Sequence, residues 1–180
     1  MKDAAQRLLR FALAAAILLR GLATPASASA VDVGAAAPSL VAKGFDGSTF
    51  DLGALRGKVV VVSFWATWCP PCRKEMPALD AVYRSYHGRG LEMIGLCVAG
   101  TRARDRAEAV EVMRSVSYPG AMLRDAEVNG FGSPGALPVT YVIDRDGVVR
   151  ATLTPDETPL TESGLTNIVL PLLPQAPPNG

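Results

Sequence analysis

Two thiols separated by two residues, Cys69 and Cys72, stand in the run Trp68-Cys69-Pro70-Pro71-Cys72. Such a pair can cycle between dithiol and disulfide. One thiolate attacks a disulfide in another molecule and the second thiol resolves the mixed disulfide; the reverse sequence oxidises a dithiol. The thiolate is the reactive species, so the chemistry needs a place that favours it. The start of a helix is such a place, because its first N–H groups lack intrahelical partners and the helix dipole is positive there. On that placement Cys69 is the expected nucleophile, with a lowered pKa, and Cys72, about one turn on and deeper, the resolving thiol. Pro70 and Pro71 suit the same turn, since their missing donors would be unpaired anyway. Arg73 adds a positive field, screened by solvent.

The remaining reactive side chains add little. A structural zinc site would need a second ligand pair, and Cys97 with the single His87 does not form one. A purely structural disulfide closing so short a loop would stabilise the fold very little. Cys97 is read as a small buried hydrophobe, with a third thiol near the active site as the alternative. His87, just before Gly88, reads as an exposed helix terminator. Trp65 belongs to the core, whereas Trp68 flanks the nucleophile and is a substrate contact. The peroxidase pattern places Thr three and Pro seven residues before its cysteine; Ala66 and Val62 stand there instead. Gly53–Lys58 lacks the spacing and the following Ser/Thr of a phosphate loop.

The motif requires a strand leading in and a helix leading out. Lys58–Ala66 is a continuous apolar run of the kind buried on both faces of a sheet. Pro71–Tyr86 carries Met76, Leu79, Val82, Tyr83 and Tyr86 at helical spacing, with a bend expected at Pro77 and an end at Gly88 and Gly90. Leu91–Val98 is a second buried strand and Ala103–Val116 a second helix. Val139–Ile143 and Val148–Leu153 flank the turn Asp144-Arg145-Asp146-Gly147 as a hairpin. Ahead of the motif, Ala35–Asp51 is a hairpin around Phe45-Asp46-Gly47-Ser48, and Leu52–Leu55 a short helical turn closed by Gly57. A last helix is expected within Thr161–Leu173, with its end blurred by Pro171 and Pro174. The fold class is therefore α/β: a central mixed sheet flanked by helices on both faces, with an added N-terminal β-hairpin.

The 180-residue chain suits one domain with extra segments at its ends. Residues 1–30 combine a basic head, the apolar run Phe11–Leu19 and the small residues Ala26-Ser27-Ala28-Ser29-Ala30, which together read as a secretory signal peptide. The alternative is an uncleaved membrane anchor, but Phe11–Leu19 falls well short of the ~20 residues that span a bilayer. No Cys lies near the cleavage site to carry a lipid, and no later segment is apolar enough to cross a membrane. Residues 31–174 form the expected domain and 175–180 a flexible tail. The whole chain has 18 basic and 17 acidic side chains; removing residues 1–30 takes four and one of these, leaving 14 against 16. With no Lys/Arg block left, nucleic acid and anionic membrane surfaces are not expected partners, and membrane contact is expected only if the N-terminal segment stays uncleaved.

The run Gly57–Pro77, with its Phe64-Trp65-Ala66-Thr67-Trp68-Cys69-Pro70-Pro71-Cys72 centre, closely resembles the TlpA/ResA-like branch of the thioredoxin superfamily, which includes the cytochrome c maturation thioredoxins. The likeness covers about residues 34–153 and includes the block Leu137–Gly147. It implies a thioredoxin-like fold. Carried over residue by residue, it makes Cys69 the attacking and Cys72 the resolving cysteine. Pro138 matches the family's cis-proline beside the disulfide, and Leu137 would pair its backbone with an extended substrate segment. Glu75 matches an acid that exchanges protons with the resolving cysteine; a first-turn Glu facing the helix dipole is the alternative. Thioredoxin proper has a buried Asp where this chain has Ser63. The segment Asn129–Ala136 is richer in Gly and Pro than its family counterpart.

The expected function is an exported thiol–disulfide oxidoreductase that reduces protein disulfides, located in the periplasm or on the outer face of the cytoplasmic membrane. The catalytic residues are Cys69, Cys72 and Glu75, and the substrate-contacting ones Trp68, Pro70, Pro71, Leu137 and Pro138. No metal or organic cofactor is expected, the redox carrier being the Cys69–Cys72 disulfide itself. The resemblance implies protein partners such as apocytochrome c or a copper-site protein, and an envelope electron donor. The alternatives are an oxidant of the same class, or a copper-handling protein that binds Cu(I) through its soft thiolates.

Overall fold

The run Val59-Val60-Val61-Val62-Ser63-Phe64-Trp65 is rich in β-branched and aromatic residues, and all of it is buried. A segment apolar on both faces belongs in the middle of a sheet, and there it lies. A computed structural model describes residues 31–100, 102–156 and 158–175. The expected signal peptide, residues 1–30, and residues 176–180 of the expected tail lie outside the described residues.

In chain order the elements are β1 (Leu40–Lys43), β2 (Thr49–Asp51), β3 (Val59–Trp65), α1 (Pro70–Tyr86), β4 (Leu91–Cys97), α2 (Ala103–Met113), β5 (Gly120–Met122), β6 (Val128–Asn129), β7 (Val139–Ile143), β8 (Val149–Leu153) and α3 (Glu162–Val169). The main sheet has the order β5-β4-β3-β7-β8. β3, β4 and β5 are parallel, whereas β7 runs antiparallel to β3 and to β8, so the sheet is mixed as expected. The N-terminal hairpin also forms, but in a second sheet of order β2-β1-β6. Its turn is closed by Asp46, whose carboxylate accepts from the Ser48 N–H, and by Gly47 at φ +85°, a conformation that favours glycine.

The side-chain alternation of β3 divides the core. Val59, Val61 and Trp65 pack with Met76, Leu79 and Val82 of α1, Met113 of α2 and Leu165 of α3. Val60, Val62 and Phe64 face the other way, toward Leu40, Leu52, Phe131 and Tyr141. Among the described residues α1, α2 and α3 thus lie on one face, not on both as the alternating pattern predicts. The steps from β3 to β4 and from β4 to β5 advance in one direction across the sheet, and right-handed crossovers made in one direction put their helices on one side. The opposite face is covered by β1 and the helical turn at Leu52–Leu55.

Local chemistry sets the remaining boundaries. α1 continues through Pro77 to Tyr86, and Gly90, at φ +97°, turns the chain into β4. α2 stops at Met113 rather than Val116. The last helix starts where Thr161 accepts from the Gly164 N–H at 3.0 Å, and it gives way to a 3-10 turn at Leu170–Leu172, around Pro171.

Candidate active site

β3, the central strand, ends with Trp65, and the chain turns at once. The Cys69 N–H donates to the Ala66 carbonyl at 3.1 Å, and Cys69 becomes the N-cap of α1. Pro70 and Pro71 fill the first helical positions. The N–H of Cys72 then donates to the Cys69 sulfur at 3.2 Å, a contact that an N-cap Ser or Asp oxygen usually makes. Cys69 and Cys72 are joined in a disulfide, with Cα atoms 5.4 Å apart. A Cys69 thiolate at this place would keep a backbone donor and the positive end of the helix.

Both cysteines are buried, while Trp68 is 68% exposed and Pro70 and Pro71 lie open around them. Thr67, Trp68, Pro70 and Arg73 line a cleft over the motif. At the start of the neighbouring strand β7 stands the Leu137–Pro138 peptide bond, which is cis. Val139 pairs with Phe64 in the antiparallel β3–β7 ladder, so Pro138 sits one step further toward the end of β3 from which Cys69 emerges. Pro138 is buried and Leu137 half-buried.

Glu75 lies in the first turns of α1 and is half-buried. Burial raises its carboxyl pKa above the usual range, against the opposing effect of the Leu160 N–H that faces it. Leu160, in the loop between β8 and α3, was not singled out by the sequence; a contact across 85 positions leaves no local pattern. Ser63 is not a free hydroxyl, since the buried Thr140 side chain donates to it at 3.0 Å.

Cys97 closes β4 opposite Trp65 and is fully buried in the cluster that contains Cys69 and Cys72. Burial pushes its thiol pKa up, and the N–H groups of Ala99 and Thr67 that face the sulfur offset part of that. Its setting is that of a buried small hydrophobe. His87 is exposed just past α1, with Nδ1 3.1 Å from the Leu91 carbonyl oxygen. Among the described residues, no group of three or more His, Cys, Asp or Glu side chains is arranged to hold a metal ion. The Gly-rich segment after β6 is anchored by Phe131, which packs on Phe64 and Tyr141 with ring centroids 5.8 and 5.3 Å away.

Comparison with known proteins agrees with this architecture. Residues 33–152 match the model of the AhpC/TSA family. The thiol-disulfide oxidoreductase ResA of Bacillus cereus is 32% identical over 128 residues, covering 71% of this chain and 73% of that protein. ResA of Geobacillus thermodenitrificans is 32% identical over 126 residues, covering 70% and 71%. Among solved structures, a thiol:disulfide interchange protein of the thioredoxin family from Chlorobium tepidum superposes with a TM-score of 0.62 at 28% identity, covering 78% of this chain and 97% of that one.

Proposed function

The chain belongs to the AhpC/TSA family, among its ResA-like thiol–disulfide oxidoreductases, and from that premise we propose that its Cys69–Cys72 couple reduces disulfides in exported proteins. The observation that carries this reading is the N-cap geometry, in which the Cys72 N–H meets the Cys69 sulfur at the start of α1.

In the reduced protein, the Cys69 thiolate attacks one sulfur of a substrate disulfide and the other leaves as a thiolate. The Cys72 thiol then gives its proton to the Glu75 carboxylate and attacks the Cys69 sulfur, releasing the second substrate thiol. Two electrons have passed to the substrate, and the Cys69–Cys72 disulfide remains to be reduced by an envelope electron donor. The raised pKa of Glu75 supports its part, because a carboxylate closer in pKa to a thiol is a better proton acceptor for it. Trp68, Pro70 and Pro71 form the surface on which the substrate rests. The Leu137 backbone pairs with the substrate strand, and Pro138 packs beside the disulfide.

Protein thiols are the substrate class, with apocytochrome c or a copper-site protein as the proposed examples. The composition of residues 1–30 supports export to the periplasm or the outer membrane face, and no helix among the described residues is long and apolar enough to cross a membrane. The domain so delivered is residues 31–174.

The deciding measurement is the reduction potential of the couple in glutathione or dithiothreitol buffers. A value near ~−270 mV supports a reductant; one near ~−120 mV makes the protein an oxidant. Failure to find a reversible two-thiol couple would end the catalytic reading.

A further inference from the structure

A groove of about 440 Å³ runs along α1 beside α2, within the ~300–1,000 Å³ of ordinary ligand clefts. Its floor is formed by Met76 and Pro77 of α1, Val112 of α2, and Val116 just beyond α2. Arg73 lines its near end, and Arg73 also lines the cleft with Thr67, Trp68 and Pro70 over the cysteines. Arg73 is thus common to the groove and to the cleft over the disulfide.

The charges along it are unequal in kind. Asp80 is matched by Arg84 at 3.3 Å and also accepts the Ser117 N–H, and Glu111 is matched by Arg114 at 2.6 Å. Arg73 is exposed and forms no ion pair among the described residues. The groove thus presents one uncompensated cation at the end nearest the disulfide, followed by an apolar floor.

We propose that this groove holds the segment of the substrate protein next to its reacting cysteine, and selects a carboxylate for Arg73 followed by an apolar side chain for the floor. The inference rests on the thiol–disulfide exchange proposed above and names what that exchange recognises. The spacing follows from geometry. Arg73 and Pro77 are about one helical turn apart, ~5.4 Å. Side chains on one face of an extended segment recur every second residue, ~6.6 Å. The acid and the apolar residue should therefore stand two positions apart, with the acid nearer the cysteine.

The test uses the full chain with Cys72→Ser, which cannot resolve. It is equilibrated with two short peptides, each carrying one cysteine as its mixed disulfide with glutathione. The Cys69 thiolate attacks the peptide sulfur, glutathione leaves as its thiolate, and a Cys69–peptide disulfide forms without any outside oxidant. One peptide carries aspartate and leucine at the stated spacing; the other carries lysine and glycine. Intact-mass analysis should show the first product favoured about tenfold, as an exposed ion pair and a partly buried apolar side chain together supply. Arg73→Glu, an exposed change that leaves the core alone, and Val112→Glu should each cut the preference below twofold. Equal yields from the two peptides, or a preference that survives both substitutions, would overturn the groove and leave the exchange activity standing. If Cys69 takes up glutathione alone, the groove falls and the exchange stands; if it forms no mixed disulfide at all, both fall.

Discussion

The Thr140 hydroxyl donates to the Ser63 hydroxyl across 3.0 Å, a buried link between β7 and β3. Ser63 stands where the thioredoxin pattern has a buried acid. A serine hydroxyl does not ionise near neutral pH, so the strand leading to the motif offers no proton carrier. The carboxyl of Glu75, half-buried about one turn past Cys72 and faced by the Leu160 N–H, is the group to which the proposed mechanism gives that work.

Glu75→Gln should therefore slow the resolving step about a hundredfold, the lower end of general acid–base effects. Single-turnover decay of the Cys69 mixed disulfide measures it. In the unaltered protein, decay should accelerate as pH rises through a limb above the ordinary carboxylate range, because burial raises this pKa; the variant should lack that limb. Stability moves the other way. A raised folded pKa stabilises the fold below the unfolded value, and that contribution is lost as pH rises through the folded one. At pH 7 the Gln variant should unfold at no lower urea concentration. Resolution at unaltered speed would remove Glu75 from the mechanism.

Cys97 should behave as core rather than as a third redox thiol. It is fully buried and its thiol pKa is raised, so little thiolate forms and none of it is reachable. Iodoacetamide applied to the fully reduced native protein should leave Cys97 unlabelled, whereas the same treatment in urea should label it. Native labelling of Cys97 at a rate comparable to Cys69 would show a reactive third thiol.

The parts of this fold that sequence made legible are those with local signals. The β3 valines, the N-cap cysteine with its two prolines, and the turns at Gly47 and Gly147 each declare themselves within a few residues. β5 and β6 do not. Gly120-Ala121-Met122 has no β-branched residue, and Val128–Asn129 is two residues long; both become strands because β4 and β1 offer open edges. Which face each helix takes follows from strand order, which no periodicity encodes. Cys69, Cys72 and Trp68 were readable from the motif. The approach of the Leu160 N–H to Glu75, and the lining of one groove by Arg73 and Val112, are tertiary and had no sequence signature.

The β7–β8 turn should carry a pH-dependent share of stability. Burial works against the charge of Asp144, but the Val148 and Asp146 N–H groups, at 2.9 and 3.0 Å, and the Arg150 guanidinium outweigh it and hold its carboxyl below the usual range. A lowered folded pKa gives stability that is present above the unfolded value, ~3.9, and is lost as pH falls through the folded one. Asp144→Ala should cost about 1–3 kcal/mol at pH 7, since it removes the charged acceptor of the Val148 and Asp146 N–H groups and of Arg150. Urea midpoints of variant and parent should converge as pH drops below 4. A difference that stays constant with pH would mean that the charge contributes nothing.

Gly130 is where the second sheet grips the segment that leads to Pro138. Its N–H donates to the Ser39 carbonyl at 2.7 Å, and a Cβ there would lie 2.9 Å from Pro38 Cβ and 3.0 Å from the Ser39 backbone N and O. Backbone atoms cannot swing aside as a long side chain can, so Gly130→Ala must push the chain away from β1. Overpacking of this kind costs about 1–3 kcal/mol, readable as a lowered urea midpoint. Phe131 follows immediately and is wedged against Phe64 and Tyr141, so the displacement should pass into the segment ending at Leu137. Turnover of a protein disulfide such as insulin should then show a raised KM. The reduction potential should stay where it was, because the hydrogen bonds that shape the Cys69–Cys72 turn, from the Cys69 N–H to Ala66 and from the Cys72 N–H to the Cys69 sulfur, lie between β3 and α1. A shifted potential with an unchanged KM would reverse that assignment and tie this segment to the couple rather than to the substrate.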